Sequence, residues 1–519
     1  MSARGKLDLD PAAVRTARRL ARRAAAPVEK LARTHTTVSV ERAVLRLAAL
    51  SGADASGIPW VNRLVDSVQS DVGLDQGVAT PVWATMQRDG LDLAALAEKA
   101  ATGSVSFAHP TGRARDRAAR AARNAVARGI RTIDRNRATR DRLRDRLGDP
   151  SFPWIYLIVA TGDIDEDIPQ AQAAAREGAD VIAVIRSTGQ SLLDYVPEGA
   201  THEGFAGTYA TQENFRLMRA ALDDVSRELG RYVRLTNYAS GLCMPEIATL
   251  AGLERLDMML NDCMYGIIFR DINPVRTFVD QRFSRQIHAR AGIVINTGED
   301  NYLTTADAVD AAHTVIVSQL LNERFAKEAG LADWQLGLGH AFEINPEIPD
   351  QFRLELAHAQ LVRELFPAAP LKYMPPTKHM TGNVFAGYLL DAFFNLAGVM
   401  TAQSIILVGM MTEGIHTPFL SDRDLALENV RYVRSACGNL AEDFHPPANG
   451  FIQKRAKQVL AESIELLERI CDDGLLRAIA EGTFGVTKRP ADGGRGLEGV
   501  VPQADDYYNP ALAILEESG

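Results

Sequence analysis

A short polar segment in the middle of the chain has the composition of an anion-binding loop. It consists of Arg186, Ser187, Thr188, Gly189, Gln190 and Ser191. Arginine offers a fixed fork of donors to a phosphate, the hydroxyl and amide groups add neutral donors, and glycine lets the backbone approach closely. Ser240 and Arg270 could complete the same site. Because the segment matches neither the P-loop nor the dinucleotide-binding pattern, the motif does not identify the ligand, and a polar loop that only caps a helix is the alternative.

Three further side chains could take part in chemistry. Tyr265 could stack on a flat ligand ring or be an ordinary aromatic residue at the edge of the fold. Asp300 could pair with an ammonium group or a pyridinium nitrogen, or could cap a helix. Lys372 follows an apolar residue and could bind a carboxylate, form a Schiff base as in an aldolase, or extend its charge to the surface. His340 and Glu343 do not complete a known metal motif, so we predict no bound metal ion.

These residues lie close to the ends of eight short apolar runs that predict β-strands. The runs are Trp154–Thr161, Asp180–Arg186, Tyr232–Tyr238, Asp257–Met264, Gly292–Thr297, Trp334–His340, Leu371–Pro375 and Ser404–Met410. Segments with helical spacing separate them, among which are Asn214–Leu229, Thr305–Ala329, Gln351–Leu365 and Gly382–Ala402. Eight strands that alternate with helices predict an α/β fold of the parallel (β/α)8 TIM-barrel type. The active site of such a barrel lies at the carboxyl ends of its strands, which is where the polar candidates cluster.

The regions on either side of the barrel are predicted to be helical. Residues 1–150 form a mostly helical accessory region, residues 151–440 the barrel, and residues 441–519 a helical extension. The run from Arg113 to Arg146 is rich in arginine, contains interleaved aspartates and has no aromatic residue that could stack on a base. A solvated helix face with ion pairs, or a docking surface for an acidic partner, is therefore favoured over a nucleic-acid or membrane patch.

The overall composition excludes several classes of protein. The chain has 519 residues and a formal net charge of −9, which argues against binding of nucleic acid. Its four cysteines form no CxxC pair, which disfavours a disulfide framework and fits the cytoplasm. The most apolar stretch, Ala386–Val408, is interrupted by Asp391 and Asn395, so we predict a buried helix followed by a strand and no membrane association.

Five strings of residues together resemble a known family. They are Val184–Pro197 with Gly199–Gly204, Asn237–Gly241, Asn261–Gly266, Asn296–Tyr302 and Leu371–His379. In this order they resemble the α (large) subunit of lysine 5,6-aminomutase, also called D-lysine or β-lysine 5,6-aminomutase. The likeness spans most of the chain and is strongest between residues 150 and 420.

The resemblance implies an isomerase that moves the terminal amino group of D-lysine or L-β-lysine to the neighbouring carbon by radical chemistry. It implies two cofactors, pyridoxal 5'-phosphate and adenosylcobalamin, and an α2β2 assembly. In the family, the β subunit carries a cobalamin-binding Rossmann-like domain with a cobalt-ligating DxHxxG motif, and also the lysine that binds pyridoxal phosphate. None of the ten histidines here has both Asp two residues before it and Gly three residues after it, which fits this division.

The resemblance also implies roles for the candidate residues. Pyridoxal phosphate would be held by Arg186, Ser187, Thr188, Gly189, Gln190, Ser191, Ser240, Tyr265, Arg270 and Asn301. Tyr265 would stack on the cofactor ring, while Asp300 and Lys372 would contact the lysine substrate, and these three form the catalytic set. Two alternatives remain, a self-contained barrel lyase or aldolase with Lys372 as its Schiff base, and a non-catalytic scaffold subunit.

Overall fold

The computed structural model describes most of the chain. It covers residues 5–184, 190–204, 207–239, 241–262, 264–297, 310–340, 342, 344–374, 379–413, 415–416, 418–485 and 487–517. Several predicted site residues lie outside these ranges: Arg186, Ser187, Thr188, Gly189, Ser240, Asp300 and Asn301.

A parallel sheet that closes on itself forms the centre of the molecule. Its strands are β2 Trp154–Ile158, β3 Val181–Ala183, β4 Arg234–Tyr238, β5 Met258–Leu260, β6 Val294–Asn296, β7 Leu336–Gly337, β8 Gly339–His340, β9 Lys372–Tyr373 and β10 Ile405–Leu407. The strand order is β7-β6-β5-β4-β3-β2-β10-β9-β8. Because β7 and β8 are consecutive in the chain, the two ends of this order meet, and the predicted (β/α)8 barrel is confirmed.

The strands lie within the predicted runs but are shorter, and the sixth run differs in detail. Trp334 belongs to a 3-10 helix, Asp333–Gln335, that precedes the strand. The strand itself is divided in two, because Leu336–Gly337 pairs with β6 whereas Gly339–His340 pairs with β9. Gly339 has no side chain, and a Cβ there would collide with the Thr297 carbonyl, so a glycine is required where the chain changes partner.

One helix follows each strand position and covers the barrel. These helices are Ile164–Arg176, Gln212–Leu229, Met244–Leu253, Pro274–Ala291, Ala312–Glu328, Gln351–Leu365, Val384–Met400 and Leu420–Cys437. Local sequence fixes several of their first turns. The Thr211 hydroxyl accepts a hydrogen bond from the Asn214 amide, and the Asn273 side chain does the same for Arg276, as N-cap residues do.

Accessory helices surround the barrel on its outer side. The N-terminal set is Pro11–Arg33, Val38–Leu47, Trp60–Val72, Ala79–Asp89, Leu93–Ala101 and Gly112–Leu147, and the C-terminal set is Leu440–Asp443, Phe451–Asp473, Leu475–Glu481 and Pro510–Glu516. Two short strands connect the two sets, because β1 His35–Thr37 pairs antiparallel with β11 Val500–Pro502. The sequence predicts residues 441–519 as a helical extension, so the strand β11 and its pairing with β1 differ from the prediction.

The arginine-rich helix Gly112–Leu147 is part of a hydrophobic cluster that extends into the barrel. Its apolar face, which includes Val126, Ile130 and Ile133, belongs to the same buried cluster as barrel strands and their covering helices. The buried Arg140 donates hydrogen bonds to the carbonyls of Leu256 (3.1 Å) and Ala291 (2.6 Å). These bonds fasten the helix to two connections that lead into barrel strands.

The helix Val384–Met400 differs from its prediction as a buried helix. One side is buried, but Phe385 is 85% exposed and Leu389 is 58% exposed. The prediction was wrong because an apolar composition only indicates that burial of the helix would be favourable. It does not show that another element of the same chain covers every face of the helix. Among the described residues, no helix is both long enough and apolar enough to cross a membrane.

Candidate functional site

The candidate site lies at the barrel mouth, by which we mean the end formed by the carboxyl ends of the parallel strands. Each strand is followed there by a loop, and five predicted site residues in this part of the molecule are described. They are Gln190, Ser191, Tyr265, Arg270 and Lys372. The remaining predicted residues follow β3, β4 and β6 in the chain and lie outside the described residues, so their proposed roles stay predictions.

Gln190 braces the loop that follows β3. It is buried, and its Nε2 donates to the Ala210 carbonyl (3.0 Å) while its Oε1 accepts from the Ala210 amide (2.5 Å). Both ends of the side-chain amide are therefore engaged by one backbone residue. This arrangement holds the segment after Gly189 against the start of the helix Gln212–Leu229, and it makes Gln190 a support for the loop.

The loops after β3 and β4 are in backbone contact with each other. The Ser191 carbonyl accepts a hydrogen bond from the Leu242 amide at 3.1 Å. A Cβ on Gly241 would lie 2.5 Å from the Ser191 Cα, which is closer than side chains come to backbone. Only glycine at position 241 permits this approach, and Ser191 consequently lies next to the residue that follows Ser240 in the chain.

Tyr265 and Arg270 form a joined pair after β5. Tyr265 starts a π-helix, Tyr265–Phe269, a local structure that is frequent at functional sites. The Arg270 Nη2 donates to the Tyr265 hydroxyl at 3.1 Å, and the guanidinium carbon lies 5.5 Å from the centre of the ring. The Phe269 ring lies against Tyr265 with 5.3 Å between centres. Contacts on both ring and hydroxyl thus hold Tyr265 in one orientation.

One N–H group of Arg270 does not take part in the contact with Tyr265. Its Nε is buried and has no hydrogen-bond partner among the described residues. A buried guanidinium N–H without a partner loses its hydration without compensation, so such an atom usually indicates a ligand, a water molecule or an ion. The pair therefore offers an aromatic ring and a cationic donor side by side.

Lys372 lies inside the barrel. It is fully buried on β9, and its neighbours across the sheet are Ile405 and Gly339. Its Nζ lies 5.8 Å from the centre of the Tyr156 ring, and a Cβ on Gly339 would come within 3.1 Å of its Cε. The interior around it contains Val181, Met258 and other apolar residues. An ammonium group at such a place is stable when an anion or other acceptor faces it.

Three buried asparagines were missed as candidates by the sequence prediction. Asn237 on β4, Asn261 just after β5 and Asn296 on β6 are almost inaccessible to solvent. Each has a side-chain atom without a hydrogen-bond partner among the described residues, namely Asn237 Nδ2, Asn261 Nδ2 and Asn296 Oδ1. A polar residue that ends an apolar run on three successive strands was a signal in the sequence. The strand register places Asn296 on the interior face of the barrel with Met258 and Val294. Asn237 lies on the opposite face of the sheet, and the Asn261 Oδ1 accepts a hydrogen bond from the Arg285 Nε of a covering helix at 2.9 Å, so these two side chains do not face the barrel interior.

The described histidines near the barrel are not arranged for metal binding. His340 is buried, its Nε2 lies 2.9 Å from the Gln403 Oε1, and burial lowers its pKa to about 4. The described residues contain one close group of possible ligands, Asp163, Asp165 and His202. These side chains are largely exposed, and the Asp163 Oδ1 already caps a helix through the Asp165 amide, so the group is explained as an ion-paired helix start. The predicted lack of a metal stays a prediction.

Comparison with known proteins gives matches along nearly the full chain. A family model described as the D-lysine 5,6-aminomutase TIM-barrel domain of the alpha subunit matches residues 7–514. The lysine 5,6-aminomutase alpha subunit of Acetoanaerobium sticklandii is 51% identical over 515 residues, which are 99% of both chains. The protein of the same name from Fusobacterium nucleatum subsp. nucleatum is 51% identical over 98% of this chain and 99% of its own. The D-ornithine 4,5-aminomutase subunit beta of A. sticklandii is 27% identical over 70% of this chain and 50% of its own length.

Proposed function

This chain belongs to the family of lysine 5,6-aminomutase alpha subunits, and from this premise we propose that it is the barrel subunit of a lysine aminomutase, an isomerase. The reaction would move the terminal amino group of D-lysine or L-β-lysine to the neighbouring carbon, giving 2,5- or 3,5-diaminohexanoate. The observation that carries the proposal is the 51% identity to a lysine 5,6-aminomutase alpha subunit over 99% of both chains.

The residues at the barrel mouth fit pyridoxal phosphate. Tyr265 presents an aromatic ring that is already oriented by Arg270 and Phe269, as stacking on a pyridine ring requires. The unpartnered Nε of Arg270 fits an anionic or phenolic oxygen of the cofactor. The close contact between Ser191 and Gly241 brings together two loops whose serines could face the phosphate. Pyridoxal phosphate, when bound, would hold the migrating amino group of the substrate.

Lys372 would orient the substrate from inside the barrel. Its ammonium group is compact and has three donors, which suits a carboxylate. Its complete burial supports this role, since an anion bound there would interact in a medium of low polarity. By the family resemblance, Asp300 would hold an ammonium group of the same substrate, and Asn301 would contribute to the cofactor site.

A second subunit would supply what this chain does not contain. The sequence has no DxHxxG motif, and the proposal therefore assigns adenosylcobalamin to a β subunit, together with the lysine that binds pyridoxal phosphate. The matched part of the D-ornithine 4,5-aminomutase subunit beta is 50% of that protein, and its printed name is that of one subunit of a multi-subunit aminomutase. Adenosylcobalamin, when bound, would supply the radical that starts the migration.

The barrel itself would shield the reacting groups from solvent. Side chains from β2, β3, β5, β6 and β10 fill its interior, including Tyr156, Val181, Met258 and Val294. At the opposite end, the Arg234 guanidinium lies 3.5 Å from the centre of the Trp154 ring and pairs with Asp149, which closes the barrel there. Substrate would then enter only by the mouth, and radical chemistry gains from a site that excludes water and quenchers.

A reconstitution assay tests the proposal. The chain is purified alone and together with a small cobalamin-binding subunit, both cofactors are added, and D-lysine and L-β-lysine are followed by mass spectrometry. We expect 2,5- or 3,5-diaminohexanoate only when both proteins and both cofactors are present. Turnover by the chain alone, with borohydride trapping of a carbonyl substrate on Lys372, would instead support a self-contained lyase or aldolase.

A further inference from the structure

Three buried arginines converge on the loop that follows β3. Arg42 and Arg46 lie four residues apart on the accessory helix Val38–Leu47, and Arg276 lies on the barrel helix Pro274–Ala291. Only 4%, 3% and 0% of their surfaces are exposed. Transfer of a guanidinium group out of water costs free energy, and buried ion pairs seldom stabilise a fold more than apolar residues would. Such a cluster is therefore expected where it fixes a particular arrangement.

Asp194 is the residue at which two of these arginines meet. The Arg42 Nη1 donates to the Asp194 carbonyl at 2.8 Å and to its Oδ1 at 2.7 Å, and the Arg276 Nη2 donates to the same Oδ1 at 3.3 Å. The Asn62 Nδ2 also donates to the Asp194 carbonyl, at 2.9 Å. Burial alone would raise the pKa of Asp194, but the two guanidinium groups outweigh it and hold that pKa below its usual value. Three side chains thus fix both the main chain and the charged side chain of Asp194.

The same arginines hold the segment that follows β4. The Arg276 Nη2 donates to the Leu242 carbonyl at 2.7 Å, and the Leu242 amide is bonded to the Ser191 carbonyl. The Arg46 Nε donates at 3.4 Å to Oε2 of Glu246, a fully buried carboxylate on the helix after β4. The loop that contains Ser191 is consequently held directly by the accessory helix and also through its neighbouring loop.

Arg276 is itself fixed by three distant parts of the chain. Its Nε donates to the Asp280 Oδ2 at 2.7 Å, and the Asp280 carboxylate also accepts a hydrogen bond from the Thr37 hydroxyl of the N-terminal region. Its Nη1 donates to the Gly496 carbonyl at 3.3 Å. A Cβ on Gly499 would lie 2.5 Å from the same Nη1, so the C-terminal tail packs directly on the guanidinium. Arg276 therefore gives Asp194 a partner whose position is well defined.

We propose that Asp194, held by Arg42 and Arg276, is a positioning residue that places the loop after β3 for the phosphate group of the cofactor. The inference rests on the proposed function, which assigns Ser191 to the pyridoxal phosphate site. A 3-10 turn, Gln190–Leu192, connects that serine to Asp194, so a displacement of Asp194 passes to Ser191 over three residues. Donors that are in place before a ligand arrives bind it more tightly, because no loop has to be ordered on binding. The accessory helices would in this way serve the cofactor site from outside the barrel.

The variant Asp194→Asn tests the proposal. It keeps an acceptor oxygen for Arg42 but removes the charge that two arginines share. The fold should tolerate the change, because Arg276 keeps its ion pair with Asp280 (2.7 Å) and Arg42 keeps one with Asp66 (3.5 Å). Dissociation constants for pyridoxal phosphate, and for pyridoxal, which lacks the phosphate, are measured by absorbance titration of the enzyme assembled with its β subunit. We expect the constant for pyridoxal phosphate to rise about tenfold and that for pyridoxal to stay within about twofold of the wild type.

The matched control is Asp223→Asn. Asp223 also pairs with two arginines, Arg219 at 3.1 Å and Arg255, but this group lies before β5, at the end of the barrel opposite the mouth. Its replacement should leave both dissociation constants unchanged. A milder variant, Asn62→Ala, removes one neutral contact with Asp194 and should weaken binding of pyridoxal phosphate by a smaller factor.

Hydrogen exchange of the backbone tests the positioning without any cofactor. In the cofactor-free full chain, residues 190–196 should exchange faster in Asp194→Asn than in the wild type or in Asp223→Asn. Unchanged exchange, unchanged affinity for pyridoxal phosphate, or an equal loss of affinity for pyridoxal would each overturn the inference. Faster exchange in the variant, together with a wild-type enzyme that does not bind pyridoxal phosphate, contradicts the proposed function but supports the positioning of the loop by Asp194.

Discussion

At the scale of single residues, Tyr265 and Arg270 illustrate how a short segment prepares a site. The arginine donates to the tyrosine hydroxyl at 3.1 Å and retains a buried Nε without a described partner. The pair is five residues apart along a π-helix, so the geometry depends on local backbone structure as well as on residue type.

Replacement of Arg270 by glutamine should weaken cofactor binding. Glutamine can still donate one hydrogen bond but carries no charge, and a hydrogen bond to a charged group is worth about 1.5–3 kcal/mol. We expect the dissociation constant of pyridoxal phosphate, measured by absorbance titration of the assembled enzyme, to rise about tenfold or more. Arg477→Gln, at an exposed ion pair with Glu481, is the matched control. Equal affinities for both variants would rule out a cofactor contact by Arg270.

Replacement of Lys372 by methionine distinguishes substrate binding from covalent chemistry. Methionine fills similar apolar space in the barrel interior but cannot pair with a carboxylate. If Lys372 holds the substrate carboxylate, KM for lysine should rise about tenfold to a hundredfold, while kcat falls less. Complete loss of turnover, with unaltered substrate affinity, would contradict the carboxylate role and favour the Schiff-base alternative. Lys327→Met, on a half-exposed ion-paired lysine, is the control.

At the scale of elements, the loops after β3 and β4 act as one unit because they touch through backbone. The Leu242 amide bonds to the Ser191 carbonyl, and the Cys243 Sγ donates to the Leu193 carbonyl at 3.3 Å. The position of each loop therefore fixes that of the other, and a change in their contact should affect the cofactor more than the barrel.

Gly241→Ala tests this coupling. The added methyl would lie 2.5 Å from the Ser191 Cα, and backbone cannot give way as a flexible side chain does. We expect weaker binding of pyridoxal phosphate with little change in the unfolding midpoint. In the matched control Gly493→Ala the nearest atom would be 3.4 Å away, an ordinary contact. Normal cofactor affinity in Gly241→Ala would show that the loops move independently.

The contact between the helix Gln351–Leu365 and its neighbours should make stability depend on pH. His358 is buried, its Nε2 accepts a hydrogen bond from the Arg455 Nε at 3.1 Å, and burial lowers the pKa of His358 to about 3. The unfolded chain binds this proton near pH 6.5, so the contribution of neutral His358 is complete above pH 6.5 and is lost as the pH falls towards 3.

The variant His358→Gln should accordingly show a smaller loss of unfolding free energy as the pH falls below 6.5. Glutamine can accept the hydrogen bond from Arg455 but does not titrate. Between pH 6.5 and 4.5, the wild type should lose about 2–3 kcal/mol more unfolding free energy than the variant. Urea unfolding at both pH values measures the difference, and His445→Gln, on an exposed residue, should follow the wild type. Parallel curves for wild type and His358→Gln would contradict the prediction.

At the scale of the whole molecule, each set of accessory helices shares a hydrophobic cluster with part of the barrel. The helices between Val38 and Leu147 belong to one such cluster, and the helices Pro11–Arg33 and Phe451–Asp473 belong to another. The helix Gly112–Leu147 places Ile133 in the first cluster, and a Cβ on Gly252, in a barrel helix, would lie 3.1 Å from its Cδ1. Removal of residues 1–148 should therefore expose this cluster and yield an insoluble barrel.

Ile133→Ala tests the shared cluster more gently. The lost side chain leaves a cavity between the helix Gly112–Leu147 and the helix Met244–Leu253, at a cost of about 2–5 kcal/mol. We expect one unfolding transition that shifts as a whole, measured by circular dichroism and by tryptophan fluorescence. Arg131→Ala, on an exposed neighbour, should have almost no effect. A separate early transition that alone responds to Ile133→Ala would show that the accessory region folds independently.

The sequence by itself determined the barrel, its eight strand positions and the family. These follow from local properties, namely apolar runs of strand length, helical spacing between them and strings of residues at the strand ends. The helix Gln351–Leu365 has its predicted bounds because its periodic pattern is strong. The family resemblance rested on five strings and is confirmed by matches along nearly the whole chain.

Only the tertiary structure decided how these parts meet. The divided sixth strand, the pairing of β1 with β11 and the contact of Gly241 with Ser191 all join residues that are distant in the chain, and local patterns contain no information on such pairing. The exposure of one face of the helix Val384–Met400 was also decided by the tertiary structure. An apolar face in the sequence indicates a surface that favours burial, but it does not indicate whether another element of the same chain covers that surface.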